Sequence, residues 1–200
     1  MFSLGDFRIL YLASCVLLGL IIVGPTLALV VSFPAGERFS ELYILGPGHM
    51  AEGYPFNVQS ETEYSVVLGA VNHMGGMQYY VVYAKLRNQT ESLPNATAAT
   101  PSPLEPLLEY RIFLRDGQIW ERNVVFALEQ VSFDGNLFRL AQLRIDGNAF
   151  GVSKLAVWDQ ASHGYFCQLF FEMWIYNTTA SGFQFHNRFV GNWLNVTRSF

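Results

Sequence analysis

The hydrophobic positions of this 200-residue chain follow two different patterns, and one gives way to the other near residue 31. Residues Ile9 to Val31 form a run of 23 positions without a charged side chain. As an α-helix this run would be about 35 Å long, enough to cross the roughly 30 Å hydrocarbon layer of a membrane. Past Val31 the apolar stretches are short and are separated by turn-forming residues, as is typical of β-strands.

The short apolar stretches predict seven or more strands. Leu108–Arg115 alternates between apolar and polar positions, and Asp-Gly pairs at 116, 134 and 146 are typical of tight hairpin turns. The predicted strands are Ser40–Leu45, Tyr64–Val71, Met77–Leu86, Leu108–Arg115, Val124–Phe133, Leu137–Ile145, Tyr165–Tyr176 and Arg188–Val196. Phe138–Leu143 could instead form a short helix. The spacing predicts an all-β fold, an antiparallel β-sandwich, because β-α-β alternation does not occur.

The predicted organisation has three parts. Residues 1–8 form a short N-terminal segment, 9–31 a transmembrane helix, and 32–200 a β-sandwich domain. Within that domain, residues 88–106 contain four prolines and two glycosylation sequons. We expect an exposed loop there, because strand signals resume on its far side.

The length of the N-terminal run favours a retained membrane anchor, since a cleavable signal peptide has an apolar core of only about 7–15 residues. Small residues at Thr26–Ala28 and Phe33–Ala35 leave cleavage open as the alternative. In that case the chain would be secreted, and residues 29–45 could add a β-strand to a neighbouring subunit of a surface filament or layer.

Composition narrows the possible partners. The chain is 51% hydrophobic and only 14% charged, so disorder is not expected. Its formal charge of −4 argues against a nucleic-acid partner, which usually requires a basic surface. Cys15 and Cys167 lie far apart in the sequence, and we expect both to be free and buried.

Four asparagines occupy N-x-[ST] sequons, and all of them follow the predicted helix. They are Asn88, Asn95, Asn177 and Asn195. The pattern predicts N-linked glycans on a C-terminal domain that faces the outside of the cell membrane. Charges flanking the helix differ too little to set its orientation by themselves.

Motifs of catalysis are missing from the sequence, so we expect no catalytic residues, no metal site and no cofactor. His49, His73, His163 and His186 lie too far apart for a local metal motif. Asn72-His73, between two predicted strands, could contact a partner at a loop tip. The favoured interpretation is structural: Asn72 bonds to its own turn and His73 caps a strand end.

Two further features concern burial. Glu172 lies among aromatic residues and is expected to be the outward-facing member of an alternating strand, a buried carboxylate being the alternative. The tryptophans are expected to anchor the core, whereas an exposed aromatic row would indicate a contact surface. They are Trp120, Trp158, Trp174 and Trp193.

Five stretches together carry a family resemblance, namely Gly36–Pro47, Ala51–Pro55, Gly69–His73, Phe171–Asn177 and Phe189–Val196. They resemble DUF1616, an archaeal membrane-protein family of unknown function. The resemblance implies an immunoglobulin-like extracytoplasmic domain in an archaeal cell envelope, and it brings no known activity. Members typically carry several membrane helices before this domain, whereas this sequence has one, so a separate partner could supply the others.

These observations predict a non-enzymatic, membrane-anchored envelope protein. Its outer β-sandwich would make protein–protein contacts, as an accessory subunit of a membrane complex. Expected partners are membrane lipid, other membrane or envelope proteins and N-linked glycans. The alternative remains the secreted filament or surface-layer subunit.

Overall fold

A computed structural model describes residues 4–31 and 37–197 in two compact units, Met1–Arg38 and Phe39–Phe200. The first unit contains helix α1, Leu4–Val31. Its first turn lies before the apolar run, because a helix does not require apolar residues at its ends. Residues Phe7–Gly24 are long and apolar enough, by length and composition, to cross a membrane.

The second unit consists of ten strands, which we call the β domain. They are β1 (Phe39–Leu45), β2 (Asn57–Gln59), β3 (Glu63–His73), β4 (Gln78–Asn88), β5 (Leu108–Leu114), β6 (Ile119–Asp134), β7 (Leu137–Ile145), β8 (Asn148–Val157), β9 (Phe166–Asn177) and β10 (Gly182–Thr197). The all-β prediction is therefore confirmed.

Two five-stranded sheets face each other across one apolar core. The first sheet has the order β1-β3-β6-β7-β8, and the second has the order β2-β10-β9-β4-β5. Neighbouring strands are antiparallel except β2 and β10, which are parallel. Buried side chains from both sheets, such as Leu68, Phe126, Tyr80 and Phe171, meet in the core. The immunoglobulin-like topology stays a prediction.

Some strand predictions were wrong, for physical reasons. Phe138–Leu143 is not a helix but part of β7, which pairs with β6 on one side and β8 on the other. Strands β2 and β8 were missed, because β2 has three residues and β8 carries Gly151 and Ser153 in place of a strong apolar pattern. Strand β10 begins six residues early, and a bulge between Phe185 and Arg188 disrupts its alternation.

The first strand is already paired on one side within its own domain, as the edge strand of the first sheet. Phe39–Leu45 lies antiparallel to β3 along its whole length, from Phe39 opposite His73 to Leu45 opposite Val67. The proposed donor segment 29–45 is therefore paired within its own domain from residue 39 onwards. Residues 32–36 lie outside the described residues.

We call the end of the β domain at which β1 begins the proximal end, and the opposite one the distal end. The proximal end contains the turns at 74–77, 115–118 and 178–181. The distal end contains the segments at 46–56, 89–107 and 158–165.

Candidate functional site

Asn72 is a buried structural hub at the proximal end. Its side-chain amide donates to the carbonyls of Gly76 and Leu114 at 2.7 and 2.9 Å. Its Oδ1 accepts from the amide of Met74 and the hydroxyl of Tyr80 at 2.9 and 3.0 Å. The side chain is completely buried. The hydrogen bonds to its own turn agree with the structural interpretation, and a partner cannot touch the side chain in the folded domain.

His73, by contrast, lies on the outside of the first sheet. Its Nε2 is 3.1 Å from Oε1 of Glu41, and its ring centroid lies 4.6 Å from that of Phe39. The side chain is partly exposed. Of the predicted contact pair, only His73 is accessible.

A chain of polar contacts continues from Asn72 towards the surface. The Tyr80 hydroxyl lies 2.7 Å from Ser40 Oγ, which lies 3.0 Å from Nε2 of His186. Arg188 Nε donates to the Ser40 carbonyl at 3.1 Å. Burial, and then the nearby Arg188 charge, lower the pKa of His186. These residues join β1 and β3 of the first sheet to β4 and β10 of the second.

The contact between Ser40 and His186 resembles a nucleophile next to a general base. However, Ser40 is only 1% exposed, and its hydroxyl is shared between Tyr80 and His186. A substrate has no path to this oxygen in the folded domain. The arrangement therefore holds the two sheets together. Sequence reasoning missed it because the residues are far apart in the chain.

Glu172 faces outward from the second sheet, as predicted for an alternating strand, but it is buried there in an ion pair with Lys85, as the alternative had it. Lys85 Nζ lies 2.8 Å from Glu172 Oε2, and both residues are at most 3% exposed. Glu172 Oε1 accepts from the amide of Ser102 at 2.8 Å. Lys85 also donates to the Ser102 carbonyl at 3.0 Å. Since each charge has further hydrogen-bond partners, the cost of burying the pair is partly offset.

The same contacts revise the prediction for residues 88–106. This segment was expected to be an exposed loop, and much of it is, including Asn95. Ser102, however, is buried against the outer face of the second sheet by the Lys85–Glu172 pair. Arg87 also donates to the Glu91 carbonyl, and Lys154 lies 2.6 Å from the Glu91 carboxylate. The loop is thus fastened to the second sheet at Ser102 and Glu91, and Glu91 also joins it to β8 of the first sheet.

The outer face of the second sheet carries an aromatic row at its proximal end. The rings of Tyr79 and Phe113 stack with centroids 4.0 Å apart. Phe183 meets Tyr79 edge-on at 4.9 Å and Tyr176 at 5.3 Å. Arg111 lies over Phe183 and donates to the Tyr79 hydroxyl. The row crosses β5, β4, β9 and β10, an arrangement that the separate sequence motifs did not reveal.

The distal end has an open cleft of about 420 Å³. Its lining residues are Phe56, Gln89, Asp159, Ser162, Phe166 and Trp193. The Phe56 and Phe166 rings lie 6.1 Å apart, and Arg87 lies over the Trp193 ring at 4.7 Å. Asp159 accepts from the amides of two residues in its own turn, which fixes its carboxylate. Aromatic walls with a few polar groups are typical of contact pockets.

The tryptophans divide between core and surface. Trp120 and Trp158 pack against the core, as predicted. Trp174 and Trp193 lie on the outer face of the second sheet, opposite the core residues that alternate with them, so the core prediction was wrong for these two. Both faces of β9 are apolar, and alternation alone could not distinguish them. Cys167 is free and buried, and Cys15 is free but exposed on the isolated helix.

The family model described as a domain of unknown function, DUF1616, matches residues 34–143. This chain belongs to DUF1616. Among curated proteins, none matches the chain. The matched residues end within β7, so the resemblance seen at Phe171–Asn177 and Phe189–Val196 lies beyond them. The β domain extends beyond the matched residues. Strands β9 and β10, which follow residue 143, complete its second sheet.

Two of the five stretches that carry the DUF1616 resemblance meet where β1 pairs with β3. Tyr43 stands opposite Gly69, and a side chain at Gly69 would overlap the Tyr43 ring. Ser40 and Asn72 are likewise opposite each other and share the Tyr80 hydroxyl. Two separate stretches of the DUF1616 chain therefore form one packed contact.

The four sequon asparagines of this DUF1616 member differ in access. Asn95 is exposed in the 88–106 loop, and its Oδ1 accepts from the Ala98 amide. The amide nitrogen of Asn88, which a glycan would occupy, donates to the Leu155 carbonyl at 2.9 Å. In Asn177 it donates to Gln184, also at 2.9 Å.

Asn195 is the most enclosed of the four. It lies in β10 between β2 and β9, and its side-chain amide donates to Asn57 Oδ1 at 2.9 Å. Its Oδ1 is buried against Gly164. Asn88, Asn95 and Asn195 belong to the distal half of the β domain, whereas Asn177 lies at the proximal end.

Proposed function

We propose that this protein is a non-enzymatic, membrane-anchored envelope protein whose extracytoplasmic β domain binds a protein of the same membrane. The observation that carries the proposal is the distal cleft, which presents Phe56, Phe166 and Trp193 in one open concave surface. Aromatic side chains enriched in a concave surface are typical of the centres of protein interfaces. In this role the chain acts as an accessory subunit.

The interior of the β domain supports a binding role over a catalytic one. The polar groups with the geometry of a reactive site, Ser40 and Glu172, are buried and bonded to neighbours. The cleft instead offers Gln89, Asp159 and Ser162 around apolar walls. Such a combination orients a partner's side chain, because a few polar groups at the rim fix its register.

The sequons support the proposed orientation. N-linked glycosylation requires exposure of the domain to the compartment outside the cytoplasm, and all four sequons follow α1. With α1 as a single span, the N-terminus then lies inside and the β domain outside. A glycan at Asn95 would leave the cleft open, since Asn95 belongs to the loop and does not line the cleft.

Site-specific photo-crosslinking tests the proposal. A photoreactive amino acid at Phe56 in the full chain, expressed in its native membrane, is expected to give a discrete adduct with another membrane protein. Met50 provides the matched control, because it is also an exposed apolar residue near the distal end but does not line the cleft. Phe56→Asp should abolish co-purification of the captured partner, and Met50→Asp should preserve it.

Two results would contradict the proposal. One is a monodisperse monomer from gently solubilised membranes, with no adduct at position 56. The other is equal adduct formation at positions 50 and 56, which would mean that the cleft has no special role.

A further inference from the structure

Among the residues that the structure describes, five exposed apolar side chains surround the proximal end of the β domain. They are Phe39, Met77, Phe113, Ile119 and Tyr176, and we call them the proximal collar. Met77, Phe113 and Ile119 are each more than 60% exposed. Exposure of single apolar residues is ordinary, but a cluster at one end of a domain indicates a contact surface.

The collar occupies both outer faces of the sandwich. Phe39 pairs with His73 and Ile119 with Val71, on the outside of the first sheet. Phe113 and Tyr176 flank Tyr79 on the outside of the second sheet. Met77 lies in the turn between the sheets. A protein partner that docks on one face would not require apolar residues on the other, whereas a planar boundary meets all sides of one end.

The chemistry of the collar matches the boundary between lipid headgroups and hydrocarbon. Aromatic rings with a polar edge, such as Tyr79 and Tyr176, are enriched at that depth. Neighbouring charges have both signs, including Arg115, Asp116 and Glu41. Attraction to the surface would therefore come from burial of apolar area rather than from net charge.

The connection between α1 and β1 is short. Seven residues separate Val31, the last residue of α1, from Phe39, the first of β1. Fully extended, that connection reaches no more than about 28 Å. The distal end has exposed apolar residues too, namely Met50, Phe56, Leu155 and Val157, and Phe56 is the one aromatic residue among these four.

We propose that the proximal collar inserts into the headgroup region of the membrane, so that the β domain stands on the lipid surface with its distal cleft outward. This inference rests on the proposed membrane anchoring by α1. It adds a second, reversible lipid contact to the helix and fixes the direction in which the cleft faces. The occupant of the collar is a phospholipid surface rather than a second protein.

Fluorescence quenching in vesicles tests the collar. The full chain, with Cys15→Ala, is labelled at Met77→Cys and reconstituted in phosphatidylcholine vesicles that contain a shallow nitroxide-labelled phosphatidylcholine. Val157→Cys is the matched control, since Val157 is 60% and Met77 63% exposed. Cys167 stays unlabelled, because it is completely buried and burial raises its thiol pKa to about 12.

Quenching at position 77 is expected to exceed that at 157 several-fold and to persist at high salt. Weak quenching at both positions overturns the collar, and strong quenching at both means that the domain lies on its side, which also overturns it. A separate label on the native Cys15, with a deep nitroxide lipid, reports on the helix. Quenching there with none at 77 refutes the collar alone, whereas no quenching at Cys15 refutes the anchor and with it the proposed function.

A second variant tests whether the apolar side chains of the collar hold position 77 near the lipid. Phe113→Ser combined with Ile119→Ser should at least halve the quenching at position 77, because both side chains project from the surface rather than fill the core. Met50→Ser should leave it unchanged. Unchanged quenching in the double variant would show that other residues hold position 77 near the lipid, contrary to the proposal.

Discussion

His186 is a half-buried imidazole between the Ser40 hydroxyl and the Arg188 guanidinium. Burial of the imidazole, and then the positive charge of Arg188, favour the neutral ring. The folded domain therefore takes up this proton at a lower pH than the unfolded chain, in which the pKa is near 6.5. Stability should be complete above that pH and should fall as the pH drops from 6.5 towards the lower pKa of the folded state.

This pH dependence can be measured by chemical unfolding of the detergent-solubilised chain, followed by tryptophan fluorescence. His186 contributes a slope of at most about 1.4 kcal/mol per pH unit below pH 6.5. His186→Gln retains a side-chain hydrogen-bonding group for Ser40 but does not titrate, so the slope should become shallower. Identical slopes in the two proteins would contradict the assignment.

For the Lys85–Glu172 pair we expect a larger effect on the free energy of unfolding. Glu172→Gln leaves the Lys85 charge buried without its counter-ion, and Lys85→Met does the same to Glu172. Each change should lower the free energy of unfolding by about 3–5 kcal/mol. The double variant Lys85→Met with Glu172→Leu should recover most of that loss, because it removes both charges. If the single variants are as stable as the parent, the pair is not buried as described.

At the scale of elements, Gly191 allows β10 to approach β9. A Cβ at this position would lie 2.7 Å from the Phe170 Cβ and 3.1 Å from the Leu169 carbonyl oxygen. Gly191→Ala should therefore push the strands apart and destabilise the β domain by about 1–3 kcal/mol, measured by the same unfolding method. Gly151→Ala in β8 is the matched control, since a Cβ there meets nothing within 4 Å. Equal effects would refute this account.

The bulge in β10 and the 88–106 loop each place a side chain against an element that is distant in sequence. The bulge lies between Phe185 and Arg188, and it turns His186 towards Ser40 in β1. The loop lays Ser102 over the buried ion pair. Neither feature follows from strand propensity, because each depends on a contact with an element distant in sequence.

At the scale of the whole molecule, the four sequons should not be used equally. Glycan attachment requires a free amide nitrogen and room for the transferase, which Asn95 offers and Asn195 does not. Asn177 should stay unmodified too, because it lies at the end that the proximal collar would press against lipid. Glycopeptide mass spectrometry of the native membrane protein should detect a glycan at Asn95 and none at Asn177 or Asn195.

Variants make that test quantitative. Asn95→Gln should reduce the mass of the protein by one glycan, and Asn195→Gln should not change glycosylation. Modification of Asn195 would contradict the packing of β10 between β2 and β9, and modification of Asn177 would count against the collar.

The helix, the all-β class and most of the strands could be predicted from the order of residues alone. An uncharged run of this length, and alternation bounded by Asp-Gly turns, depend on local physics: hydrogen bonding within a segment and the period of side chains along it. Leu137–Ile145 was predicted to the residue for this reason. The family resemblance around Gly36–Pro47 likewise needed only the order of residues.

Which side of a strand faces the core, and which distant residues meet, depends on how the segments pack in three dimensions. Both faces of β9 are apolar, so Glu172 and Trp174 could not be placed until the opposite sheet and the 88–106 loop were in position. Asn72, Ser40, Tyr80 and His186 come from four strands and become one network through pairing and sheet packing. Such contacts join chain segments that are far apart in sequence, so local sequence patterns do not predict them.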